Sequence, residues 1–366
     1  MRGDVQRELI GRLRSEQALP LEDPYELDTA RYRDPAWLER ERTQVFRKFP
    51  LIVAHEAQLA NEGDFVTRVI AGVPLLIVRD GEGTIRVTRN VCRHRGARLV
   101  QEASGCNKRT LVCRYHAWCW NLEGELIHVP QHEQFPNLDT GKRQLIPIAS
   151  EVRHGFVWVR LDGEEPVDVE SFLGPDLDAD LESFFATPHT IYKHTQLERN
   201  ANWKLVIDAF AEGYHARSLH KKSVARFFTD RIILDDLSPH TRQAGARKSL
   251  DKVDDSADLR THATLFYTVF PNAVFVVHPD FISQLSVWPR GVDGLEFEHR
   301  MLTPPGDKDW GPSYELIDQT VFQKEDLSIV ESVQSNMHMV DHVLLGGLER
   351  GVYLFHQALD AALGAE

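Results

Sequence analysis

The sequence has 366 residues, of which 42% are hydrophobic and 27% are charged. This composition excludes a disordered or collagen-like chain, and four cysteines in a chain this long exclude a disulfide scaffold. The net charge of −13 argues against general binding to nucleic acid or to an anionic membrane. Because the first twenty residues lack the apolar core of a secretory signal, we expect a soluble, cytoplasmic protein.

The chain begins with a charged segment that changes to a strand-rich one. A helical pattern covers residues 35–46, and we assign residues 1–44 to an N-terminal helical segment that packs on the C-terminal domain. In residues 45–165, short apolar runs alternate with turn residues such as the Asp-Gly-Glu-Gly of 80–83. This alternation predicts a compact all-β domain.

Residues 166–366 combine helical patterns with apolar strands. Helical spacing covers residues 201–214 and 314–345, whereas residues 263–277 and 281–288 form apolar strands suited to a buried sheet. The fold class is therefore predicted as α+β, with a C-terminal domain in which helices flank a sheet.

Two cysteine–histidine pairs are the sharpest signal in the sequence. Cys92-x-His94 and Cys113-x2-His116 are separated by eighteen residues, and each follows a predicted strand. Two thiolates and two imidazoles can hold a [2Fe–2S] cluster of the Rieske type, with the cysteines on one iron and the histidines on the other. Structural zinc is the alternative, although zinc sites favour pairs of cysteines. Packed thiols are the prediction for the two remaining cysteines, Cys106 and Cys119.

The same region carries a local positive charge. Residues 85–115 contain eight basic residues against one acid, Glu102. We predict a docking face for an acidic electron-transfer partner, because complementary charge speeds encounter; a solvated loop surface is the alternative. The basic residues are Arg86, Arg89, Arg93, Arg95, Arg98, Lys108, Arg109 and Arg114.

A second set of candidate ligands lies in the C-terminal half, in the pattern Glu212-x2-His215-x4-His220. Residues five apart do not share a face of a regular helix, so both histidines reach one ion only if the helix ends or kinks near 216–218. A non-heme Fe(II) site of the facial-triad type also needs a carboxylate, and Asp326 on the late helical segment is our candidate.

A rival pair lies further along the chain. His338 and His342 are four residues apart, which places them on one face of the predicted helix, with Asp341 beside them. Surface exposure is the simpler interpretation of this pair.

These motifs resemble those of the oxygenase (alpha) subunits of Rieske non-heme iron ring-hydroxylating oxygenases. The resemblance runs over nearly the whole chain and rests on four stretches: NVCRHRGA at 90–97, CRYHAW at 113–118, NWK through EGYH and His220 at 202–220, and ED with ESVQ at 325–334. It implies an N-terminal Rieske domain at 45–165 and a catalytic domain at 166–366, whose antiparallel sheet is flanked by helices in a helix-grip, START-like fold.

The resemblance also implies the cofactors. It assigns Cys92, His94, Cys113 and His116 to the [2Fe–2S] cluster, and it assigns His215, His220 and Asp326 to a mononuclear iron. Dioxygen is then the co-substrate.

The resemblance further implies a head-to-tail homotrimer, in which Glu212 bridges a cluster histidine of one subunit and an iron histidine of the next. No G-x-G-x-x-G loop occurs in the sequence, so NAD(P)H serves only indirectly, through a separate reductase with or without a ferredoxin. An additional beta subunit is left open.

Three residues depart from the family pattern. Arg114 stands where proline is usual, Ala117 where glycine is usual, and Glu212 where many members have aspartate. By resemblance, a glutamate bridge is known in members that act on quaternary amines.

We therefore expect a terminal oxygenase that hydroxylates an apolar, aromatic or polycyclic substrate. The first alternative is a Rieske monooxygenase that demethylates oxidatively or acts on a quaternary amine. An alternative of another class is a Rieske electron carrier without oxygenase activity, or a zinc-stabilised binding module. A carrier would leave the 200 residues after position 166 without a role.

Overall fold

The computed structural model describes residues 1, 3–15, 24–106, 108–163 and 165–364. The chain divides into two units, of which one is Phe46–Phe172 and the other combines Met1–Val45 with Leu173–Glu366. The N-terminal segment thus belongs to the same unit as the C-terminal half. The expected domain boundaries at residues 44 and 165 stay predictions.

The unit Phe46–Phe172 is built, in its described residues, from three small antiparallel sheets. The four-stranded sheet has the order Ile85–Arg89, Val73–Arg79, Phe65–Ile70, Ser104–Gly105. The two three-stranded sheets have the orders Ala149–Arg153, Phe156–Arg160, Leu51–His55 and Leu111–Val112, Cys119–Trp120, Leu126–His128. Short helical turns are Glu56–Leu59, His132–Gln134 and Thr140–Arg143. The predicted all-β organisation is confirmed.

The hydrophobic core of this unit extends to the two cysteine–histidine loops. Cys92 and Cys113 are buried in one cluster with Leu76, Trp118 and Trp120. Packing of the cysteine side chains against large apolar residues holds the base of each loop in place.

A seven-stranded antiparallel sheet forms the centre of the larger unit. Residues 263–277 form two of its strands rather than the single strand that we predicted. The chain reverses at 270–272, so that Val269 pairs with Ala273, and Pro271 has no N–H to donate to a ladder. The spatial order of the strands is Thr190–Arg199, Leu295–Thr303, Ile282–Pro289, Ala273–Val277, Ala263–Val269, His240–Arg247, Phe228–Leu237.

The helix Trp203–Phe210 lies on the central strands of this sheet and packs beside the helix Leu327–Asn336. Asn202 caps its N-terminus, because its side chain accepts a hydrogen bond from the backbone N–H of Lys204. The remaining α-helices are Gly3–Ser15, Ala30–Arg33, Pro35–Glu41, Val169–Phe185, Ala216–Leu219, Leu259–His262, Gly311–Tyr314 and Arg350–Leu363. Val169–Phe185 is kinked at Gly174, whose φ of 73° is not helical. Shorter 3-10 turns are Ala225–Phe227, Leu250–Lys252, Met337–Met339 and Gly347–Glu349, and Arg42–Phe46 is π-helical. No helix within the described ranges combines the length and apolarity needed to cross a bilayer.

The late helical pattern is only partly regular helix. Residues Glu315–Asp326 have π-helical hydrogen bonding, and an α-helix follows over Leu327–Asn336. The prediction of helix to residue 345 was wrong at its end, since His342–Leu345 is a strand that pairs with Tyr25–Asp28. Segments of π-helix occur often at functional sites, because they shift the face on which the following side chains lie.

Candidate metal centres and active-site cavity

The two cysteine–histidine loops have the same backbone hydrogen-bond pattern. The Cys92 N–H donates to the carbonyl of Ala97, and the N–H of Gly96 donates back to the carbonyl of Cys92. In the second loop the Cys113 N–H donates to the carbonyl of Trp118, and Ala117 donates back to Cys113. The fourth residue after each cysteine is left-handed, with φ of 80° at Gly96 and 56° at Ala117. Ala117 thus occupies a position that favours glycine.

The predicted cluster ligands lie together at these loops. The rings of His94 and His116 have centroids 4.7 Å apart, and the His94 ring stacks on Trp118 at 4.6 Å. Burial raises the pKa of the Cys92 thiol, and the adjacent Cys113 raises it further. His94 Nδ1 is buried without a hydrogen-bond partner among the described residues. A buried ring nitrogen that lacks a proton partner, beside two buried free thiols, fits a metal–sulfide cluster.

The three predicted iron ligands also lie together. One ligand atom from each of His215, His220 and Asp326 can be chosen so that all lie within 4.8 Å of one another. The Nε2 atoms of His215 and His220 lie 3.7 Å and 3.2 Å from Asp326 Oδ1. This oxygen is buried and accepts no hydrogen bond within the described part of the chain. Two imidazoles and a carboxylate that lacks a donor fit a facial-triad metal site.

The helix was expected to end or kink near 216–218, between the two histidines, and it ends earlier than that. The helix Trp203–Phe210 ends before His215, and a separate single turn, Ala216–Leu219, lies between the two histidines. His215 immediately precedes this turn and His220 immediately follows it. The π-helical segment Glu315–Asp326 supplies the carboxylate at its last residue.

Each histidine of this set is held by a second carboxylate. Glu212 accepts a hydrogen bond from His215 Nδ1, and it also accepts from the His215 backbone N–H at 3.2 Å. His220 Nδ1 lies 2.8 Å from Glu325 Oε2, which also accepts from Ser223 Oγ at 2.6 Å. Burial lowers the pKa of His220, but the carboxylates of Asp326 and Glu325 outweigh this effect and raise the pKa overall.

Sequence reasoning assigned no role to Glu325 or Ser223. The Glu325–Asp326 dipeptide was the signal that could have identified Glu325, because its two carboxylates contact opposite nitrogens of the same imidazole. A metal-ligating histidine needs such a partner for its second nitrogen.

The rival histidine pair lies apart from this site. His338, Asp341 and His342 are exposed, and the two histidines lie in a 3-10 turn and a strand rather than on one helical face. Among the other cysteines, Cys119 is buried as predicted, whereas Cys106 is exposed, so the prediction of a packed thiol was wrong there.

Some of the basic residues around the cluster loops are neutralised by ion pairs within the chain. Arg86 forms an ion pair with the buried Asp80, and Arg114 pairs with Glu102. The guanidinium of Arg95 lies over the ring of Tyr115 at 5.4 Å. Arg95 and Arg109 are exposed and form no ion pair with any described residue.

The candidate iron ligands open into a cavity of about 1360 Å³. Glu212, His215, His220 and Asp326 all line it. Aromatic rings supply much of the remaining wall, from Phe210, Tyr214, Phe227, Phe228, Phe266, Phe281 and Phe322. A mostly apolar cavity with a few convergent polar groups is typical of a small-molecule site.

Two family models match the chain. The Rieske [2Fe–2S] domain matches residues 49–142, and the ring-hydroxylating alpha subunit catalytic domain matches residues 189–365. The model of the first spans both cysteine–histidine loops, and the model of the second spans all three candidate iron ligands.

Curated relatives include mono- and dioxygenases. The carnitine monooxygenase oxygenase subunit of Escherichia coli (strain K12) is 30% identical over 353 residues, which cover 90% of this chain and 91% of the relative. The biphenyl 2,3-dioxygenase subunit alpha of Rhodococcus jostii (strain RHA1) is 29% identical over 271 residues, which cover 72% of this chain and 56% of the relative.

Solved structures show the same fold. A quaternary ammonium Rieske monooxygenase in complex with L-carnitine has 24% identity and a TM-score of 0.80, with 92% of this chain and 94% of that chain covered. Naphthalene 1,2-dioxygenase from Rhodococcus sp. has 19% identity and a TM-score of 0.81, with 100% and 98% covered. The sequence matches extend this likeness from fold to family. The chain belongs to the alpha subunits of the Rieske non-heme iron oxygenases, mono- and dioxygenases that contain a [2Fe–2S] cluster and a non-heme iron.

Proposed function

We propose that this chain is the terminal oxygenase component of a Rieske monooxygenase that acts on a small quaternary ammonium compound. The observation that carries the proposal is the identity with a carnitine monooxygenase subunit, which extends over 91% of that relative's length. Glu212 stands where many members of the family have aspartate, and a glutamate at this position resembles the members that act on quaternary amines. It therefore favours the same substrate class. The sequence alone ranked an aromatic substrate first.

The aromatic lining of the cavity suits such a substrate. A quaternary ammonium has no N–H to donate, so it is bound through the faces of aromatic rings rather than by hydrogen bonds. Phe210 and Phe322 contact each other with ring centroids 5.3 Å apart, and both line the cavity that the iron ligands share. The substrate carbon that reacts would then lie beside a wall that excludes water.

The ligand assignments belong to the same proposal. Cys92, His94, Cys113 and His116 would hold the cluster, and His215, His220 and Asp326 would hold the iron. The cluster supplies electrons and the iron supplies reductive activation of dioxygen when both are bound. Glu212 and Glu325 fix the rings of His215 and His220 by accepting from their second nitrogens, which keeps the other nitrogen directed at the metal.

Glu212 is proposed to have a second role between subunits. It would accept a hydrogen bond from His116 of a neighbouring chain in a head-to-tail homotrimer, in addition to the bond from its own His215. Electrons would enter from a separate reductase, with or without a ferredoxin. The exposed Arg95 and Arg109 near the cluster loops suit contact with an acidic protein of that kind.

The reaction expected on a quaternary amine is hydroxylation of a carbon bonded to nitrogen. One oxygen atom of O2 enters the C–H bond and the other leaves as water, with two electrons and two protons from outside the chain. The resulting carbinolamine loses its hydroxyl proton as the C–N bond breaks. The products are a tertiary amine and an aldehyde.

Substrate screening with a surrogate reductase tests the proposal. We expect O2 uptake matched by tertiary amine release from L-carnitine, gamma-butyrobetaine, glycine betaine or choline. The contrary result is turnover of biphenyl or a related arene to a product that carries isotopically labelled oxygen, with no amine release from any quaternary compound. Aromatic hydroxylation is the second candidate, because the biphenyl dioxygenase relative and the phenylalanines of the cavity favour it.

A further inference from the structure

Arg247 is one of the cations that line the cavity, and it is partly buried. Arg247 ends the strand His240–Arg247 and lines the cavity. Its Nη2 donates to Thr264 Oγ1 at 3.0 Å, and its guanidinium lies over the ring of Phe228 at 5.2 Å. Its Nε is buried without a hydrogen-bond partner, and no carboxylate of the described residues lies within ion-pair distance. A partly buried guanidinium without a counter-ion is costly unless an anion binds there.

Asp280 also lines the cavity, but it forms no ion pair with this arginine. Burial lowers the pKa of Arg247, and Asp280 only partly counters this effect. Asp280 is itself ion-paired with Lys308. The positive charge of Arg247 therefore lies at the cavity without an ion-pair partner among the described residues.

A second polar group with an unsatisfied nitrogen, His278, lines the same cavity. His278 follows the strand Ala273–Val277, lines the cavity and is only 7% exposed, and its Nε2 is buried without a hydrogen-bond partner within the described chain. Its ring stacks on Phe281 with centroids 4.1 Å apart. Burial lowers the pKa of His278 well below its usual value, and the charge of Arg247 adds to this effect. The ring is neutral at physiological pH and still has one N–H to donate.

Sheet register explains why these groups meet. Gly245 pairs with Thr264, and Leu265 pairs with Val277. Alternate residues of a strand face the same side, so Arg247 lies on the same side as Gly245, and His278 lies on the same side as the cavity-lining Val276. Three neighbouring strands thus bring one charged donor, Arg247, and two neutral donors, Thr264 and His278, to the same part of the cavity wall.

We propose that Arg247, Thr264 and His278 form an anion subsite that binds a carboxylate on the substrate. The free edge of the guanidinium matches the two oxygens of a carboxylate, and the imidazole can donate to one of them. One arginine and one neutral histidine balance a single negative charge, which fits a carboxylate better than a doubly charged phosphate. The inference rests on the proposed function in that this cavity is taken as the substrate site, and it adds that the substrate carries an acid group as well as an amine.

Two ligand pairs that differ in a carboxylate test the subsite in the metal-loaded protein. The amine pair is gamma-butyrobetaine and butyltrimethylammonium, and the second pair is benzoate and benzyl alcohol. Binding is measured by calorimetry without reductase, so that turnover does not contribute. We expect the carboxylate member of at least one pair to bind the wild type about tenfold more tightly or better.

The variants Arg247→Met and Arg247→Lys isolate the contact. Arg247→Met should weaken binding of the carboxylate member by about 10- to 100-fold and change the other member by less than about threefold. Arg247→Lys keeps the positive charge but lacks the planar guanidinium. Its affinity for the carboxylate member should therefore lie between that of the wild type and that of Arg247→Met. Arg226→Met is the matched control, because Arg226 is an exposed arginine at the same cavity, and it should change neither affinity appreciably.

The outcomes separate this inference from the proposed function. The subsite is overturned if the wild type shows no carboxylate preference in either pair, or if Arg247→Met weakens both members of a pair equally. Release of tertiary amine without any carboxylate preference would leave the proposed function standing and remove the subsite. A carboxylate preference in the benzoate pair alone would support the subsite and contradict the quaternary amine as substrate.

Discussion

Glu212 is the residue whose chemistry links the candidate iron site to the rest of the proposed assembly. It is acidic, its side chain is 12% exposed, and it already accepts two hydrogen bonds from His215. A carboxylate has lone pairs for further donors, so a histidine from another chain can bind to it as well. The proposed bridge therefore needs the charge and the second oxygen of this side chain.

Replacement of Glu212 by alanine tests the bridge. We expect the variant to retain both iron centres, since none of the proposed ligands is removed, but to lose about 10- to 100-fold in the rate at which a reduced cluster is reoxidised by O2 and substrate. Stopped-flow absorbance of the cluster gives this rate directly. Asp230→Asn removes an exposed carboxylate at the same cavity and serves as the control. Wild-type reoxidation in the Glu212 variant would rule out the bridging role.

The left-handed residues of the cluster loops allow a second prediction at the residue scale. Gly96→Ala places a Cβ at φ of 80°, where no other atom lies within 4 Å, so only backbone strain is introduced. We expect it to lower the free energy of unfolding by about 1 kcal/mol or more, and Ala117→Gly to raise it by about 0.5–1 kcal/mol. Urea unfolding followed by cluster absorbance measures both. Equal stability of Gly96→Ala and wild type would contradict the strain argument at Ala117.

The helix Trp203–Phe210 precedes the candidate iron ligands in the chain, and its N-terminal end is anchored by fully buried contacts. Lys204 Nζ forms an ion pair with Glu41 Oε1, and Glu41 also accepts from Trp203 Nε1 at 2.8 Å. Both charged side chains have no exposed surface. The pair ties this helix to the N-terminal helix Pro35–Glu41, which belongs to the same unit.

Removal of one member of this pair should be far worse than removal of both. Lys204→Met leaves the Glu41 charge buried and is expected to lower the free energy of unfolding by about 3–5 kcal/mol. The double variant Glu41→Gln/Lys204→Met should recover most of that loss, because no unpaired charge remains. Denaturant unfolding of the single and double variants provides the comparison. A double variant as unstable as Lys204→Met would show that packing rather than charge accounts for the effect.

Elements were predicted well where a local pattern is enough to define them. Apolar runs between turn residues correctly indicated an all-β first unit and a sheet in the second. The pattern at 263–277 could not reveal a hairpin, because both of its strands are apolar and period alone does not show a reversal. Helical spacing at 314–345 overran the end of the helix, since Val343 and Leu345 continue an apolar pattern that the structure uses in a strand.

Site residues were predictable only where a motif spaces them. His215 and His220 form such a motif. Asp326 was a candidate from its place on the late helical segment, and the resemblance supported it. The structure brings all three together, and their role as ligands stays a prediction. Arg247 and His278 had no local signal. Their proximity depends on the register of three strands, which the sequence pattern leaves undetermined.

In the proposed trimer, each working active site combines the cluster of one chain with the iron site of the next chain. A chain without its cluster could then still receive electrons from a neighbour, and a chain without its iron could still donate them. Mixed assemblies of two inactive variants should therefore recover activity.

Co-expression of Cys92→Ser with Asp326→Ala chains tests this complementation. We expect each variant alone to be inactive and the mixed assembly to regain a substantial fraction of wild-type turnover, because some interfaces pair an intact cluster with an intact iron site. The measurement is product formation after purification through two different affinity tags, which selects mixed assemblies. Mixed assemblies that stay inactive would show that electron transfer occurs within one chain.

The central claim is that one chain has two separate iron centres, and His215, His220 and Asp326 are the proposed ligands of the mononuclear one. Iron and sulfide analysis of wild type and Asp326→Ala, combined with electron spin resonance of the reduced cluster, tests this directly. We predict about three irons and about two sulfides per wild-type chain, and a variant that has lost about one iron while its cluster spectrum is unchanged. A wild type with only two irons would contradict the presence of a second iron centre, and a variant that retains all three irons would contradict the role of Asp326 as a ligand.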